Sequence, residues 1–303
     1  MMIQLQDALG HERTKSLLWT AACATMIAAL FAAHATRARA DDEPQRVLSI
    51  GGAVTEIVYA LGEENRLVGR DSTSSYPEAA LELPDVGYMR ALAPEGVLSI
   101  KPDLILAREG SGPPEAIEVL KSASIPYVEV PERYSAEGVD AAIQVVSEAL
   151  DAEEKGNELR SELAMQMTAL ADTVAGIGAK KRVLFILSMQ DGRILASGHE
   201  TAADGILKLA GAANAITEYD GYKQLTDEAL IAANPDVVLM MDRGGEFAVD
   251  DEALFSHPGL KTTRAAKNRA VIRMNGLYLL GFGPRTASAA LDLAKALYGD
   301  DLR

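Results

Sequence analysis

Residues 98–106 read LSIKPDLIL, and residues 230–240 read LIAANPDVVLM. In each stretch an apolar helical pattern ends, a break with a Pro-Asp pair follows, and a short apolar strand begins. Because one copy lies in each half of the chain, the sequence predicts two lobes of similar construction. Strands that alternate with helices imply a central, mostly parallel sheet in each lobe, and therefore an α/β fold.

Further strands and helices extend this pattern on both sides of the two repeats. The predicted strands are 46–50 (RVLSI), 66–69 (RLVG), 125–130 (IPYVEV), 182–187 (RVLFIL) and 271–274 (VIRM). The predicted helices include 55–62 (TEIVYALG), 201–211 (TAADGILKLAG) and 291–298 (LDLAKALY). Two of these helices end in glycine, which is typical of a helix C-terminus.

Residues 136–174 carry almost no strand signal and have apolar residues at helical spacing. They predict at least one long helix, with Gly156 as a possible interruption. We expect an N-terminal lobe over 45–150, a bridging helix over 151–178 and a C-terminal lobe over 179–303. A stiff helical bridge permits small tilts of the lobes rather than a large hinge closure.

The N-terminus has the layout of a secretory signal peptide. Basic residues precede an uncharged apolar run over 16–33, and residues 38–40 (Ala-Arg-Ala) form a small-x-small cleavage motif. We therefore expect that residues 1–40 are cleaved off and that the protein is exported.

Two other interpretations of the N-terminus stay open. A single transmembrane anchor is one, although the apolar run is barely long enough to span a bilayer. Lipidation at Cys23 is the weaker one, because Thr20 stands where a lipoprotein signal has an aliphatic residue. Cys23 is the only cysteine, so the chain beyond residue 40 has neither a disulfide nor a thiolate metal site.

The charge of the chain restricts its partners. Removal of residues 1–40 leaves 25 Lys+Arg and 42 Asp+Glu, a balance of −17. So acidic a protein is a poor partner for nucleic acid or anionic lipid. An anionic ligand would need a local basic pocket.

Catalytic motifs are scarce. Beyond residue 40 the only histidines are His199 and His257, and no Gly-x-Ser-x-Gly, Walker or His-Glu-x-x-His motif occurs. An enzyme is not excluded, but no residue pattern favours one. The lobes would instead form a cleft at the carboxyl ends of their strands, where ligands of open α/β sheets bind. The residues that follow those strands are Gly51-Gly52, Arg70-Asp71-Ser72, Arg108-Glu109, Ser188-Met189, Arg243-Gly244 and 278–285, which includes Tyr278.

Tyrosine and arginine are the chemically useful residues of this cleft. A phenolate is a hard donor that suits Fe(III), and tyrosine is a known axial ligand of haem iron. Tyr88 lies in a turn-like segment, and Arg90 is a cation that could favour its ionised form. Arginines match carboxylates with two parallel hydrogen bonds, so Arg70, Arg243 and others could bind an acidic ligand. Spacing alone nevertheless favours ordinary packing for Tyr88.

Longer stretches carry a resemblance to a known family. Among them are the segments 47–62 (VLSIGGAVTEIVYALG), 69–77 (GRDSTSSYP), 83–106 (LPDVGYMRALAPEGVLSIKPDLIL) and 276–294 (GLYLLGFGPRTASAALDLA). They resemble the periplasmic haem-binding proteins of bacterial haem ABC importers, which lie within the siderophore and cobalamin binding protein family. The resemblance implies a class III periplasmic binding protein, with two Rossmann-like lobes joined by a long rigid helix.

The resemblance also implies roles for single residues. Tyr88 falls on the axial iron ligand, with Arg90 supporting its phenolate and Arg243 near the haem from the other lobe. Glu95 and Glu228 fall on the glutamates, one in each lobe, that meet arginines of the permease. Some relatives have a histidine as a second iron ligand where this chain has Met189, which is expected to pack on the porphyrin. His199, which precedes a helix, is a weaker candidate for a second ligand.

The resemblance therefore implies a monomeric periplasmic carrier that takes ferric haem to an inner-membrane ABC permease and its ATPase. A ferric-siderophore or cobalamin carrier on the same fold is the nearest alternative. An exported enzyme that processes tetrapyrroles is an alternative from another class, and the scarcity of histidine counts against it.

Overall fold

The computed structural model describes residues 44–242, 249–299 and 302. The predicted signal peptide and Arg243 lie outside the described residues. Among the residues that are described, no helix is both long and apolar enough to cross a membrane.

The N-terminal lobe is built on a four-stranded, wholly parallel sheet in the order β2-β1-β3-β4. Its strands are β1 (Val47–Ile50), β2 (Leu67–Arg70), β3 (Leu104–Arg108) and β4 (Tyr127–Val130). Its helices are α1 (Gly52–Ala60), α2 (Pro94–Ser99) and α3 (Pro114–Ser122). β1 and β3 are almost entirely buried, since helices cover both faces of a parallel sheet.

Two helices follow, α4 (Ala136–Ala149) and α5 (Glu153–Ala175). The chain turns between them at Asp151, which has a φ of 52°. Gly156, expected as a possible interruption, lies inside α5. A Cβ there would lie 2.4 Å from the Cβ of Ser147, so the glycine lets the two helices pack closely.

The C-terminal lobe has a six-stranded mixed sheet in the order β10-β9-β5-β6-β8, with β7 paired to β5. Its strands are β5 (Arg182–Gln190), β6 (Arg193–Ser197), β7 (Ala213–Asn214), β8 (Tyr222–Leu225), β9 (Val237–Asp242) and β10 (Val271–Asn275). Its helices are α6 (Ala202–Leu209), α7 (Asp227–Ala233), α8 (Asp251–Ser256), α9 (Arg264–Asn268), α10 (Gly276–Leu280) and α11 (Thr286–Tyr298). The predicted α/β fold with two lobes is confirmed, and the antiparallel β6 and β8 are additions to it.

A continuous apolar core joins the two lobes. Val54 and Ile57 of α1 belong to the same buried cluster as Ile206 of α6 and Leu279 of α10. Close backbone approaches accompany this core. A Cβ on Gly205 of α6 would lie 2.5 Å from the carbonyl oxygen of Tyr134, which belongs to the segment between β4 and α4.

Replacement of Gly205 by valine is expected to lower the free energy of unfolding by about 3 kcal/mol, because a fixed backbone carbonyl cannot yield to the new side chain. Urea denaturation measures this loss. Gly178→Val is the matched control, since a Cβ at Gly178 meets no atom within 4 Å. Equal losses for the two variants would contradict the close contact between the lobes.

Candidate functional site

The carboxyl ends of the parallel strands of both lobes meet along a cleft. Two recesses lie along this cleft, and each is lined by residues of both lobes. One has a volume of about 760 Å³ and includes Tyr134 and His199, and the other has a volume of about 240 Å³ and includes Tyr76 and Tyr278. Of the cleft residues predicted from the strand ends, Tyr278 and Arg285 line the smaller recess.

A buried carboxylate holds the N-terminal wall of the cleft together. Asp71 is fully buried and accepts hydrogen bonds from the Gly51 amide at 2.9 Å and from the Ser74 hydroxyl at 2.7 Å. Its other oxygen accepts from the amide and the hydroxyl of Thr73, at 3.0 and 2.7 Å. The segment Arg70–Ser74 is therefore a scaffold that ties the loop after β2 to the start of α1.

Tyr88 lies on the next loop, which is fixed on both sides of it. The Ser72 amide donates to the Gly87 carbonyl at 2.9 Å, and Met89 is buried in the core of the lobe. Gly87 has a φ of 99°, a conformation that glycine adopts without strain. The Tyr88 side chain itself is 47% exposed. A large aromatic ring on an ordered backbone is thus presented to solvent instead of being packed.

Arg90 is exposed two residues further on and influences the opposite lobe. Burial raises the pKa of Tyr222 in β8, while hydrogen bonds with Thr201 and Ala203 and the positive charge of Arg90 oppose that rise. The charge of Arg90 therefore acts on Tyr222 of the other lobe. Tyr222 was missed in the sequence, because YKQL is too short and too polar to be recognised as a strand.

Arg70 does not face a ligand. Its side chain is buried, with Nε donating to the Ala80 carbonyl at 2.9 Å and Nη1 donating to the Asp71 carbonyl at 3.0 Å. Nη1 also donates to Asp85 at 3.1 Å, and the other oxygen of Asp85 accepts from the Gly87 amide at 2.8 Å. Arg70 is thus committed to supporting the loop that carries Tyr88, and we do not include it among the proposed ligand contacts.

His199 lines the larger recess, and Met189 lies on β5. The His199 side chain is 38% exposed, and its Nδ1 lies 3.5 Å from Oδ1 of the buried Asp204. Burial alone would raise the pKa of Asp204, but Lys208, Asn214 and His199 bring it below its ordinary value. Met189 is half-buried on β5 and packs against the core of its own lobe.

Tyr278 lines the smaller recess with its phenol in the neutral form. Its hydroxyl donates to Asp292 at 2.9 Å. Burial and this carboxylate raise the pKa of Tyr278 to about 12. Its ring can contact a ligand, but its oxygen is poorly placed to act as a phenolate donor.

Glu95 and Glu228 are both exposed, and each lies in the first turn of a helix, α2 and α7 respectively. Hydrogen bonds with its own amide and with Thr226 lower the pKa of Glu228, so its carboxylate stays charged.

No group of three or more His, Cys, Asp or Glu side chains within 44–242 and 249–299 could hold a metal ion. The two recesses offer tyrosine, histidine and arginine side chains to a ligand. Arg243, another predicted contact, lies outside the described residues.

Comparisons with known proteins agree on one family. The family model "Periplasmic binding protein" matches residues 47–276. An uncharacterized ABC transporter substrate-binding lipoprotein of Bacillus subtilis (strain 168), YvrC, is 30% identical, and the match covers 86% of this chain and 82% of that protein. A vitamin B12-binding protein of Vibrio parahaemolyticus is 24% identical, with 84% and 90% of the two chains covered.

Two of the similar solved structures are heme-binding proteins. The periplasmic heme-binding protein BhuT, in complex with two hemes, is 43% identical with a TM-score of 0.80, and the match covers 83% of this chain and 97% of that one. The periplasmic heme-binding protein RhuT from Roseiflexus sp. RS-1, in its apo form, is 35% identical with a TM-score of 0.81, and the match covers 85% and 99%.

Proposed function

Because the chain belongs to the periplasmic binding protein family, we propose that it binds ferric haem between its two lobes and delivers it to an inner-membrane ABC permease. The resemblance recognised in the sequence is confirmed for the family. Its members are binding proteins of transport systems, so the chain is a transport protein rather than an enzyme. A permease and its ATPase are the partners that such a protein requires.

The proposal that haem is the ligand rests on Tyr88. Its phenol is half-exposed on a loop whose backbone is held by hydrogen bonds and by the burial of Met89. An exposed phenol on a fixed loop suits Fe(III), which is a hard metal ion that tyrosine binds as an axial ligand. Cobalamin and ferric siderophores bring a complete coordination shell and would leave the Tyr88 oxygen without a bond to the metal.

Arg90 supports this assignment electrostatically. It is exposed two residues after Tyr88 in the sequence, and its positive charge opposes the rise that burial causes in the pKa of Tyr222 in the other lobe. A cation near a phenol stabilises the phenolate that binds the iron. We propose that Arg90 does this for Tyr88, and that Arg243 approaches the haem from the C-terminal lobe. Guanidinium groups also match the carboxylates of the haem propionates.

The C-terminal wall supplies the remaining proposed contacts. Tyr278 and Met189 would pack against the macrocycle, since an aromatic ring and a thioether are both suited to apolar contact. His199 is a weaker candidate for a second iron ligand, and it is proposed because its ring is partly exposed in the larger recess. The protein is proposed to act as a monomer in the periplasm, after removal of residues 1–40.

A cobalamin or siderophore carrier is the alternative that the family itself raises, since one of the relatives is a vitamin B12-binding protein. The two heme-binding structures are more similar in sequence to this chain than that relative is. This difference favours haem.

Titration of the purified protein with hemin, cyanocobalamin and a ferric siderophore separates the candidates. Hemin is expected to give a saturable change in the visible spectrum, with a charge-transfer band typical of a phenolate-bound ferric haem. The other two ligands are expected to leave their spectra and the intrinsic fluorescence of the protein unchanged. Saturable binding of cobalamin or the siderophore, without binding of hemin, would show that the bound ligand, and not haem, is the cargo.

A further inference from the structure

An ion pair connects helix α1 of the N-terminal lobe with the segment before α11 of the C-terminal lobe. Nε of Arg285 donates to Oε2 of Glu56 at 2.8 Å, and Nη2 donates to Oε1 at 2.6 Å. The Glu56 side chain is only 5% exposed and that of Arg285 is 28% exposed. The pair therefore has the two-bond geometry that makes arginine–carboxylate contacts strong and directional.

Aromatic rings of both lobes hold the guanidinium in place. The Cζ atom of Arg285 lies 3.5 Å from the ring centre of Tyr76, in the N-terminal lobe, and 5.0 Å from that of Tyr278, in the C-terminal lobe. Tyr278 is itself anchored to Asp292 through its hydroxyl. Cation–π contacts of this kind add to the ion pair and restrict the rotamers of the arginine.

The backbone beside the pair is also in direct contact with α1. A Cβ on Gly283 would lie 3.4 Å from the Cβ of Ala53 and 3.6 Å from Oε2 of Glu56. Burial raises the pKa of Glu56, and the hydrogen bonds and charge of Arg285 oppose that rise. A movement that separated the lobes at this point would leave a buried carboxylate without its partner, which is costly.

We propose that Glu56 and Arg285 form a positioning clasp between the lobes, which fixes their separation along the cleft and so slows the escape of the ligand. The part of this inference that concerns the ligand rests on the proposed function, whereas the part that concerns lobe separation does not. The clasp lies beside the smaller recess, so movement of the lobes is most restricted at that end of the cleft.

The lobe separation is tested by pulsed electron paramagnetic resonance. Cys23 is the only native cysteine and belongs to the segment proposed to be removed, so the protein from residue 41 onward accepts two selective spin labels. Glu118→Cys on α3 and Lys267→Cys on α9 place the labels at exposed positions of different lobes. Glu56→Gln and Arg285→Ala are expected to broaden the distance distribution or to shift its mean. Arg285→Lys keeps the positive charge but loses the planar guanidinium group, so an intermediate distribution is expected.

Arg160→Ala is the matched control. Arg160 makes an equally regular two-bond contact with Asp140, at 2.8 and 2.9 Å, but that contact joins α4 to α5 and does not cross the cleft. The control variant is expected to keep the distance distribution of the unsubstituted protein. Distributions that are unchanged in both Glu56→Gln and Arg285→Ala would overturn the clasp.

Ligand retention is measured as the rate at which hemin passes from the protein to excess apomyoglobin. Glu56→Gln is expected to raise this rate by about tenfold, because the effects of such changes fall mainly on dissociation, and Arg160→Ala is expected to leave it unchanged. A broadened distance distribution with an unchanged hemin transfer rate would overturn the role in retention. A protein that fails to bind hemin at all would contradict the proposed function, while the distance measurement would still decide the clasp.

Discussion

Replacement of Tyr88 by alanine is expected to weaken hemin binding by about a hundredfold, which corresponds to about 2.7 kcal/mol. The variant loses the only proposed bond between the N-terminal lobe and the iron, while apolar contacts with the macrocycle are retained. The charge-transfer band of phenolate-bound ferric haem should disappear with it. Equilibrium titration followed by visible spectroscopy measures both effects.

Tyr88→Phe separates coordination from packing, because it keeps the ring and removes the oxygen. It is expected to lose the charge-transfer band as completely as Tyr88→Ala does. Tyr127→Phe is the control, since Tyr127 starts β4 and burial raises its pKa to about 12. A wild-type spectrum and affinity in Tyr88→Phe would show that the phenol is not the iron ligand.

These substitutions are expected to leave the fold intact. Tyr88 is half-exposed, and the loop around it is held by main-chain hydrogen bonds and by Met89 rather than by the tyrosine ring. Substitutions at exposed positions away from caps and cores usually change stability little. A change in the spectrum would therefore report on the ligand and not on unfolding.

The fold could be predicted from local patterns wherever a strand is buried. The apolar runs at 104–106 and 237–240 are strands, as the Pro-Asp repeat predicted, because both faces of a central parallel strand must be apolar. β6 and β8 were not predicted. They extend the sheet beyond β5 as an antiparallel edge, and β8 has two exposed polar residues among its four. The Asp191-Gly192 turn before β6 was a hairpin signal that could have been used.

The site was harder to predict than the fold, because its decisive contacts join distant residues. The burial of Arg70 depends on Ala80 and Asp85, which no periodicity places beside it. The pairing of Glu56 with Arg285 spans 229 residues, so neither residue carries a local signal of its partner. Tyr88 was identified by its flanking residues, and its exposure on a fixed loop could be seen only in the structure.

Glu95 and Glu228 lie on the same side of the molecule as the cleft opening, for topological reasons. The Leu92 amide donates to Gly112, which follows the carboxyl end of β3, so the start of α2 lies at that end of the sheet. Leu225, the last residue of β8, pairs with Ile194 beside the turn that follows β5, so α7 also begins at the corresponding end. Two exposed carboxylates therefore flank the cleft, one on each lobe.

The double variant Glu95→Ala and Glu228→Ala is expected to bind hemin as tightly as the unsubstituted protein. It is expected to reduce hemin transport through the reconstituted permease by about tenfold or more, because charges matched across an interface govern its formation. Glu115→Ala with Glu252→Ala is the matched control, since these glutamates are also exposed in the first turns of helices, one in each lobe. Titration of hemin and uptake into proteoliposomes supply the two measurements.

Since neither proposed docking residue is buried, a loss of hemin affinity would place them in the ligand site instead. Undiminished transport would remove them from the docking surface. Loss of transport with intact binding would establish that ligand recognition and delivery use separate residues.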